Sequence, residues 1–225
     1  KYLVQKNASI IGLQEVRHNQ LLDLKKALPK YTAIGVGRED GKTRGEYSPI
    51  FYNHTKWNLD PKEHGTFWLS DTPKIANSRS WGNHHTRICT WAHLIDINDS
   101  EKKSALYIYN THWDHQSQTA RVNSALLMLQ RIKERIHKND SYILMGDLNA
   151  TVKNPAVKSL LGEGILKDHG KNQYRSSSKW KSDLVPGLKI DHIFTSPSIK
   201  FANLKVESNG NADKLSLIHI SEPTR

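Results

Sequence analysis

The sequence predicts an α/β fold, a mixed-sheet sandwich with helices on its faces. Short apolar, β-branched and aromatic runs recur along the chain, some joined by tight turns and others by helices, the alternation expected when sheets and helices share a core. No interior stretch rich in Gly, Pro or Ser divides the 225 residues, which suffice for one large domain with a full core.

The elements follow in order. "ASIIGLQEV" (8–16) is apolar without alternation, as in a strand buried on both faces. "NQLLDLKKALPK" (19–30) has helical spacing through Leu21, Leu24 and Leu28, and Pro29 stops it. Strand-like runs follow at "YTAIGVG" (31–37), "SPIFYN" (48–53) and "GTFWLS" (65–70). A long polar loop, 71–86, leads into "RICTWAHLIDI" (87–97), and "NDSEKK" turns into "SALYIYNTHWDH" (104–115). The clearest helix spans 117–137, with Val122, Ala125, Leu126, Leu129, Ile132 and Ile136 assigned to one face. "SYILMGDLNA" (141–150) is a strand running into an acid; a short helix (155–161), a loop (170–186) and strands at 188–196 and 200–208 complete the pattern.

Composition narrows the function classes. The formal charge of +11 suits an anionic partner, with phosphate-rich ligands first in line, although a basic solvated surface explains it equally well. No apolar run is long enough to span a bilayer. A single cysteine, Cys89, excludes an internal disulfide framework and any multi-cysteine metal site; its strand-like setting suits a buried small side chain.

Three buried-type strands end in acid: "IIGLQE" in Glu15, "YILMGD" in Asp147 and "GLKID" in Asp191. A carboxylate there is costly unless its charge is compensated. Side chains two apart on a strand share a side, so Asp147 pairs with Asn149, and Asn110 with His112 and Asp114. Carboxylates, an amide and imidazoles at strand ends suit a hard divalent cation, Mg²⁺ or Mn²⁺, beside a phosphate. Taken singly, each acid is more simply a turn residue in water, His112 a satisfied core histidine, and Asp114 with His115 the start of the long helix.

"GLQEV", "NTHWDH", "GDLNA" and "KIDHIF", in this order and at these separations, resemble the endonuclease/exonuclease/phosphatase superfamily over nearly the whole chain to about residue 208. "GVGREDGKTRGEYSPIFY" and "GTFWLSDTP" are further similar to its bacterial deadenylase-like branch. The resemblance implies a two-sheet α/β sandwich in four layers. It also implies in-line hydrolysis of a phosphoester by activated water, without a covalent enzyme intermediate. By it, Glu15 is the principal metal ligand, Asp147 orients or deprotonates the water beside the metal, and Asn149 holds the scissile phosphate. His112 donates to a non-bridging oxygen, and Asp191 orients a histidine supplied by a closing Ser-Asp-His motif.

Two departures from the family pattern stand out. An opening strand bearing an asparagine is missing, since only fourteen residues precede Glu15, and the closing Ser-Asp-His strand is missing too. The last eleven residues, "LSLIHISEPTR", equal codon for codon a translation of a transposase adapter used in preparing short-read sequencing libraries. The expected organisation is therefore an incomplete domain at 1–214 followed by a non-native tail at 215–225, with Leu215 and Ser216 assignable to either and His219 not the catalytic histidine.

Arg79, Trp81, His84 and His85 lie in the long loop, where a Trp flanked by basic groups can stack on a base or sugar, or simply anchor its own loop. Asn110 and Arg121 are further substrate-binding candidates; Arg121 can equally bond locally. The "YRSSSKWKSD" loop (174–183) is a weaker candidate. Nucleic acid is favoured as substrate over a sugar phosphate, inositol phosphate or phospholipid head group. A non-catalytic phosphate-binding module is disfavoured because Glu15 and Asp147 are both present. The expected protein is a monomer, and the sequence is compatible with secreted, periplasmic or cytoplasmic locations. If the terminal motif is indeed lost, this chain hydrolyses its substrate roughly a thousandfold more slowly than a version carrying a restored C-terminal strand. Equal turnover by the two refutes that expectation.

Overall fold

The computed structural model describes residues 2–99, 104–168, 188–200, 204–207 and 217–220. Helix α1 (Tyr2–Lys6) precedes β1 (Ile10–Gly12), α2 (His18–Ala27), β2 (Tyr31–Ile34) and β3 (Ile50–Asn53). Then come β4 (Trp57–Trp68), β5 (Ile88–Asp96), β6 (Ala105–His112), α3 (Gln118–Glu134) and β7 (Ser141–Asp147). Helix α4 (Pro155–Gly162) and strands β8 (Lys167–Asp168), β9 (Asp191–Thr195), β10 (Leu204–Glu207) and β11 (Leu217–Ile220) follow. The 170–186 loop, with its "YRSSSKWKSD" candidate, lies outside the described residues.

Two sheets face each other. The smaller has the order β1-β3-β2 and the larger β4-β5-β6-β7-β9-β8. Every pairing is antiparallel except β6 with β7, which makes the large sheet mixed. Strand β11, within the segment expected to be a non-native tail, pairs antiparallel with β10.

Alternation along the strands sorts side chains into layers. Ile50 and Tyr52 of the small sheet meet Ala92, Leu94, Ile108, Ile143 and Ile193 of the large one, forming the seam between sheets. The other face of the large sheet carries Tyr107, Tyr109, Leu144 and Phe194 against Ala125, Met128, Leu129 and Ile132 of α3 and Val157 and Leu160 of α4. The outer face of the small sheet packs on Leu21 of α2. Helix, sheet, sheet, helix is thus the observed layering, the predicted four-layer sandwich.

The differences from the predicted elements have local causes. The first strand shrinks to three residues because the chain turns away after Gly12 to present Glu15 at φ +59°. Strand β4 begins at Trp57 instead of 65; its polar, Pro61-bearing first half hides a strand, and the register shifts between Leu59 and His64. On α3 the buried stripe is Ala125, Met128, Leu129 and Ile132, while Leu126 lies half exposed and Ile136 falls beyond the helix end in solvent. Cys89 is fully buried, as expected.

The parallel β6–β7 pair is tight at its end. Gly146 sits at φ +141°, and a Cβ there would lie 1.9 Å from the carbonyl oxygen of Thr111. Glycine is required on both counts. Gly146→Ala is expected to lower unfolding stability by about 2–4 kcal/mol; chemical denaturation at matched pH measures this, and a variant as stable as the parent refutes the reading.

Candidate active site

The register of β6 against β7 sets His112 directly beside Asp147, and that of β7 against β9 sets Asp147 opposite Asp191. Glu15 reaches in from the loop after β1, with its Oε1 3.9 Å from His112 Nε2. The Asp147 Oδ2 lies 3.7 Å from the same nitrogen. Asn149 closes the group: its backbone N–H donates to Asp147 Oδ1 (2.7 Å), and its side-chain amide lies 3.1 Å from His112 Nε2 and donates to Trp113 O (2.9 Å). Asn149 takes φ +46°, a conformation asparagine tolerates better than most residues. Glu15, His112, Asp147, Asn149 and Asp191 thus meet at one sheet edge.

The electrostatics explain what the acid-ended strands imply. Burial, then the neighbouring Asp191 and Glu15, push the Asp147 carboxyl up to about 7, against the Asn149 N–H and Arg87 that favour its charge. Like charges crowded out of water are the misfit a cation relieves. The carboxylate oxygens of Glu15 and Asp147 are the donor type a hard divalent ion takes. His112 is held well below the usual imidazole range by burial, then by Arg87, Arg38 and His115. A neutral His112 has two satisfiable tautomers here. With the lone pair on Nε2 it accepts from Asn149; with the proton there it faces the two carboxylates.

A recess open to solvent adjoins these residues, lined by Glu15, Arg38, Glu46, Tyr47, Ser48, Arg87, Ile88 and His112. Its two arginines carry positive charge to the spot. Arg38 pairs with Glu46 at 2.7 Å, and its carbonyl accepts from the Trp68 indole (2.7 Å). Gly37 before it touches the Arg44 backbone so closely that a Cβ would sit 2.2 Å from its carbonyl oxygen. Arg87, 4% exposed, has its Nε 3.7 Å from Asp114 Oδ2 and its Nη2 3.1 Å from His115 Nδ1. Fully buried Asp114 resists ionisation through burial, yet N–H groups of Ser117, Gln116 and His84, with Arg87, hold it down to about 2. His84, His85 and His115 cluster at the rim with ring centroids 4.4–6.0 Å apart.

The four candidate substrate-binding residues fall elsewhere or are committed. Asn110 is fully buried; its amide donates to Leu13 O and Pro49 O (2.9 Å each) and its oxygen accepts from Gln14 (2.6 Å). It faces the same side as His112 but latches the Glu15 loop to the large sheet. Arg121 is buried and donates to Asp114 O and Gln118 Oε1, bracing the motif loop. Trp81 donates from its indole to Asp71 and packs on the helix-side core, so it anchors its own loop. Arg79 is exposed and donates to His84 O. Arg38 and Arg87 escaped the sequence reading; neither has a motif spacing, and only the fold aims them inward.

The sequence model of the Endonuclease/Exonuclease/phosphatase family matches residues 1–216. A comparison with curated proteins finds no match. Among solved structures, a mannosyl-6-phosphatase from Bacteroides thetaiotaomicron is 35% identical, with TM-score 0.81 over 92% of this chain and 78% of that one. An endonuclease/exonuclease/phosphatase from Bacteroides vulgatus is 32% identical, with TM-score 0.84 over 97% and 84%. D. rerio TDP2 complexed with single-strand DNA product shares the fold at 16% identity, TM-score 0.69, over 95% and 83%.

The raised Asp147 carboxyl fixes a pH signature. Its folded pKa near 7 exceeds the ordinary 3.8, so its contribution to stability is complete below about 4 and is lost as pH rises through 7. In chelator-treated protein, Asp147→Asn is expected to gain roughly 1–4 kcal/mol over the parent between pH 4 and 8 while losing hydrolysis. His192, depressed by burial, slopes the other way but cancels in the difference. A variant-minus-parent stability that is flat with pH in urea titrations contradicts this.

Proposed function

The chain belongs to the endonuclease/exonuclease/phosphatase family, and we propose on that basis that the strand-end cluster of Glu15, His112, Asp147, Asn149 and Asp191 is a phosphoester hydrolase centre using activated water. Family members are phosphoester hydrolases that generally use divalent metals. The observation that carries the proposal is the strand register: it sets His112 beside Asp147 and Asp147 opposite Asp191, with a Glu15 carboxylate oxygen 3.9 Å from the same histidine.

A divalent ion held by Glu15 and Asp147 would stabilise charge on the phosphate oxygens. The chain's own residues do the rest. Asp147 orients the attacking water and accepts its proton. As a phosphate arrives, the Asn149 amide turns from His112 Nε2 onto a non-bridging oxygen, and His112, in the tautomer with its proton on Nε2, donates to another. Arg87 and Arg38 keep His112 uncharged and add positive potential beside the site. Charge gathered on those oxygens in the transition state thereby meets donors already in place.

For substrate we favour a small phosphoester, with the phosphate monoester of a sugar first, over nucleic acid. Two observations support this: the recess beside the cluster is lined by Arg38 and Arg87, which suit a phosphate group, and a neighbour 35% identical is a mannosyl-6-phosphatase. Nucleic acid is the second reading, supported by the +11 charge. The test is hydrolysis with Mg²⁺ or Mn²⁺ of mannose 6-phosphate, inositol phosphates, single-stranded DNA and RNA, in rising salt. Phosphate release from the sugar ester with little salt dependence is expected; preferential cleavage of nucleic acid, with affinity falling steeply as salt rises, overturns the substrate reading. Arg87→Ala is expected to lower kcat/KM about a hundredfold or more.

A further inference from the structure

A second cluster of ligand-type side chains lies away from this centre. His93 of β5 pairs across the strand with Tyr107, five residues before His112 on β6, so on the order of 17 Å of strand separates the two places. Its imidazole is 3% exposed, with Nδ1 3.1 Å from Asp60 Oδ2 on β4 and Nε2 2.8 Å from Asp140 Oδ2 in the turn between α3 and β7. His137, from the same turn, places Nε2 3.6 Å from Asp60 Oδ2 and stacks on His93 at 4.5 Å. One ligand atom each from Asp60, His93 and His137 fall within 4.8 Å of one another.

We propose that Asp60, His93 and His137 form a binding site for a zinc-class divalent ion, distinct from the phosphoester centre. Tetrahedral coordination with bonds of about 2.0–2.1 Å sets neighbouring donor atoms about 3.3 Å apart, and the observed 3.1 and 3.6 Å bracket that value. His137, 45% exposed on a turn, has room to tilt and close the third edge. The remaining nitrogen of His93 meets a carboxylate, Asp140. That is the outer-shell arrangement by which metal-bound histidines are oriented and made more basic. A neutral imidazole has one N–H, yet both ring nitrogens of His93 face carboxylate oxygens. Both contacts are met either by an imidazolium donating from each nitrogen or by a neutral ring with a metal cation in place of one proton. Further negative charge stands close by: Glu63, 7% exposed, accepts from the Tyr107 hydroxyl, whose ring stacks on His93.

Two imidazoles and one carboxylate select a borderline ion over Mg²⁺, which prefers oxygen donors. The ion would join three separate segments, pinning the bulge of β4 and the α3–β7 turn onto β5. Its role would be structural.

The test uses the full chain, stripped with chelator and held in excess Mg²⁺, titrated with Zn²⁺ and then with Co²⁺ as a spectroscopic substitute. One equivalent of Zn²⁺ that Mg²⁺ does not displace, a rise in Tm, and Co²⁺ visible bands of four-coordinate intensity are expected. The half-exposed His137→Ala and the conservative Asp60→Asn should lose that equivalent. Asp140→Asn should keep it with roughly tenfold or more weaker affinity, and Glu15→Gln should keep it unchanged. No tight equivalent in the parent chain overturns the proposal. So does an equivalent that survives His137→Ala and Asp60→Asn, or one that disappears in His85→Ala, which would place the ion in the rim histidines.

Discussion

The parallel pairing of β6 with β7 is the constraint on which the site depends. Because side chains alternate along a strand, a one-residue slip would send His112 to the sandwich seam's opposite face and Trp113 into the cleft. Two features forbid the slip. Ile108 and Ile143 must meet Ile50 across the seam, and Gly146 packs its backbone against Thr111 where no side chain fits. Hydrophobic register on one end of the strand thus becomes chemical register on the other: the same pairing that buries isoleucines aligns His112 with Asp147.

Past that alignment, the site is assembled by gathering charge at the strand ends, with Arg87 buried, Asp147 half-buried and Glu15 exposed. Asp147, Asp191 and Glu15 repel one another, and Arg87 and Arg38 stand behind His112. Each arginine has its own acid, Asp114 for Arg87 and Glu46 for Arg38. Their charge is held in place by partners inside the fold, so little reorganisation is needed when a phosphate enters. Preorganised charge of this kind is destabilising to the empty protein and useful to the reaction.

How much could be read from the residues alone follows from which patterns are local. Continuous apolar runs such as "SYILMGD" declare a strand and its acid end, and four such signatures in order expose the family. Strand parity also places Asn110 on the side of His112, but parity says nothing about partners. Only the folded chain shows the Asn110 amide consumed by Leu13, Pro49 and Gln14. Arg38 and Arg87 sit in loops and at a strand edge without a spacing rule, so their convergence is a property of tertiary structure. Likewise Asp60 and His93 are separated by a bulged hairpin and His137 by a helix, a distance along the chain that no short motif spans. Pro61 and its polar neighbours concealed half of β4 because a bulged edge strand needs neither alternation nor full pairing.

Asn110 has a consequence beyond its hydrogen bonds. Glu15 is delivered by the small sheet and Asp147 by the large one, and this single carboxamide is bolted to carbonyls on the far side of the gap. The distance between the two acids is therefore a readout of how the layers are stacked. Any ligand, lesion or temperature that lets the layers shear by an ångström detunes the chemistry while the helices and most strand pairs stay intact. In such an architecture, catalytic failure is the first symptom of a loosening interior, arriving well before the cooperative melt.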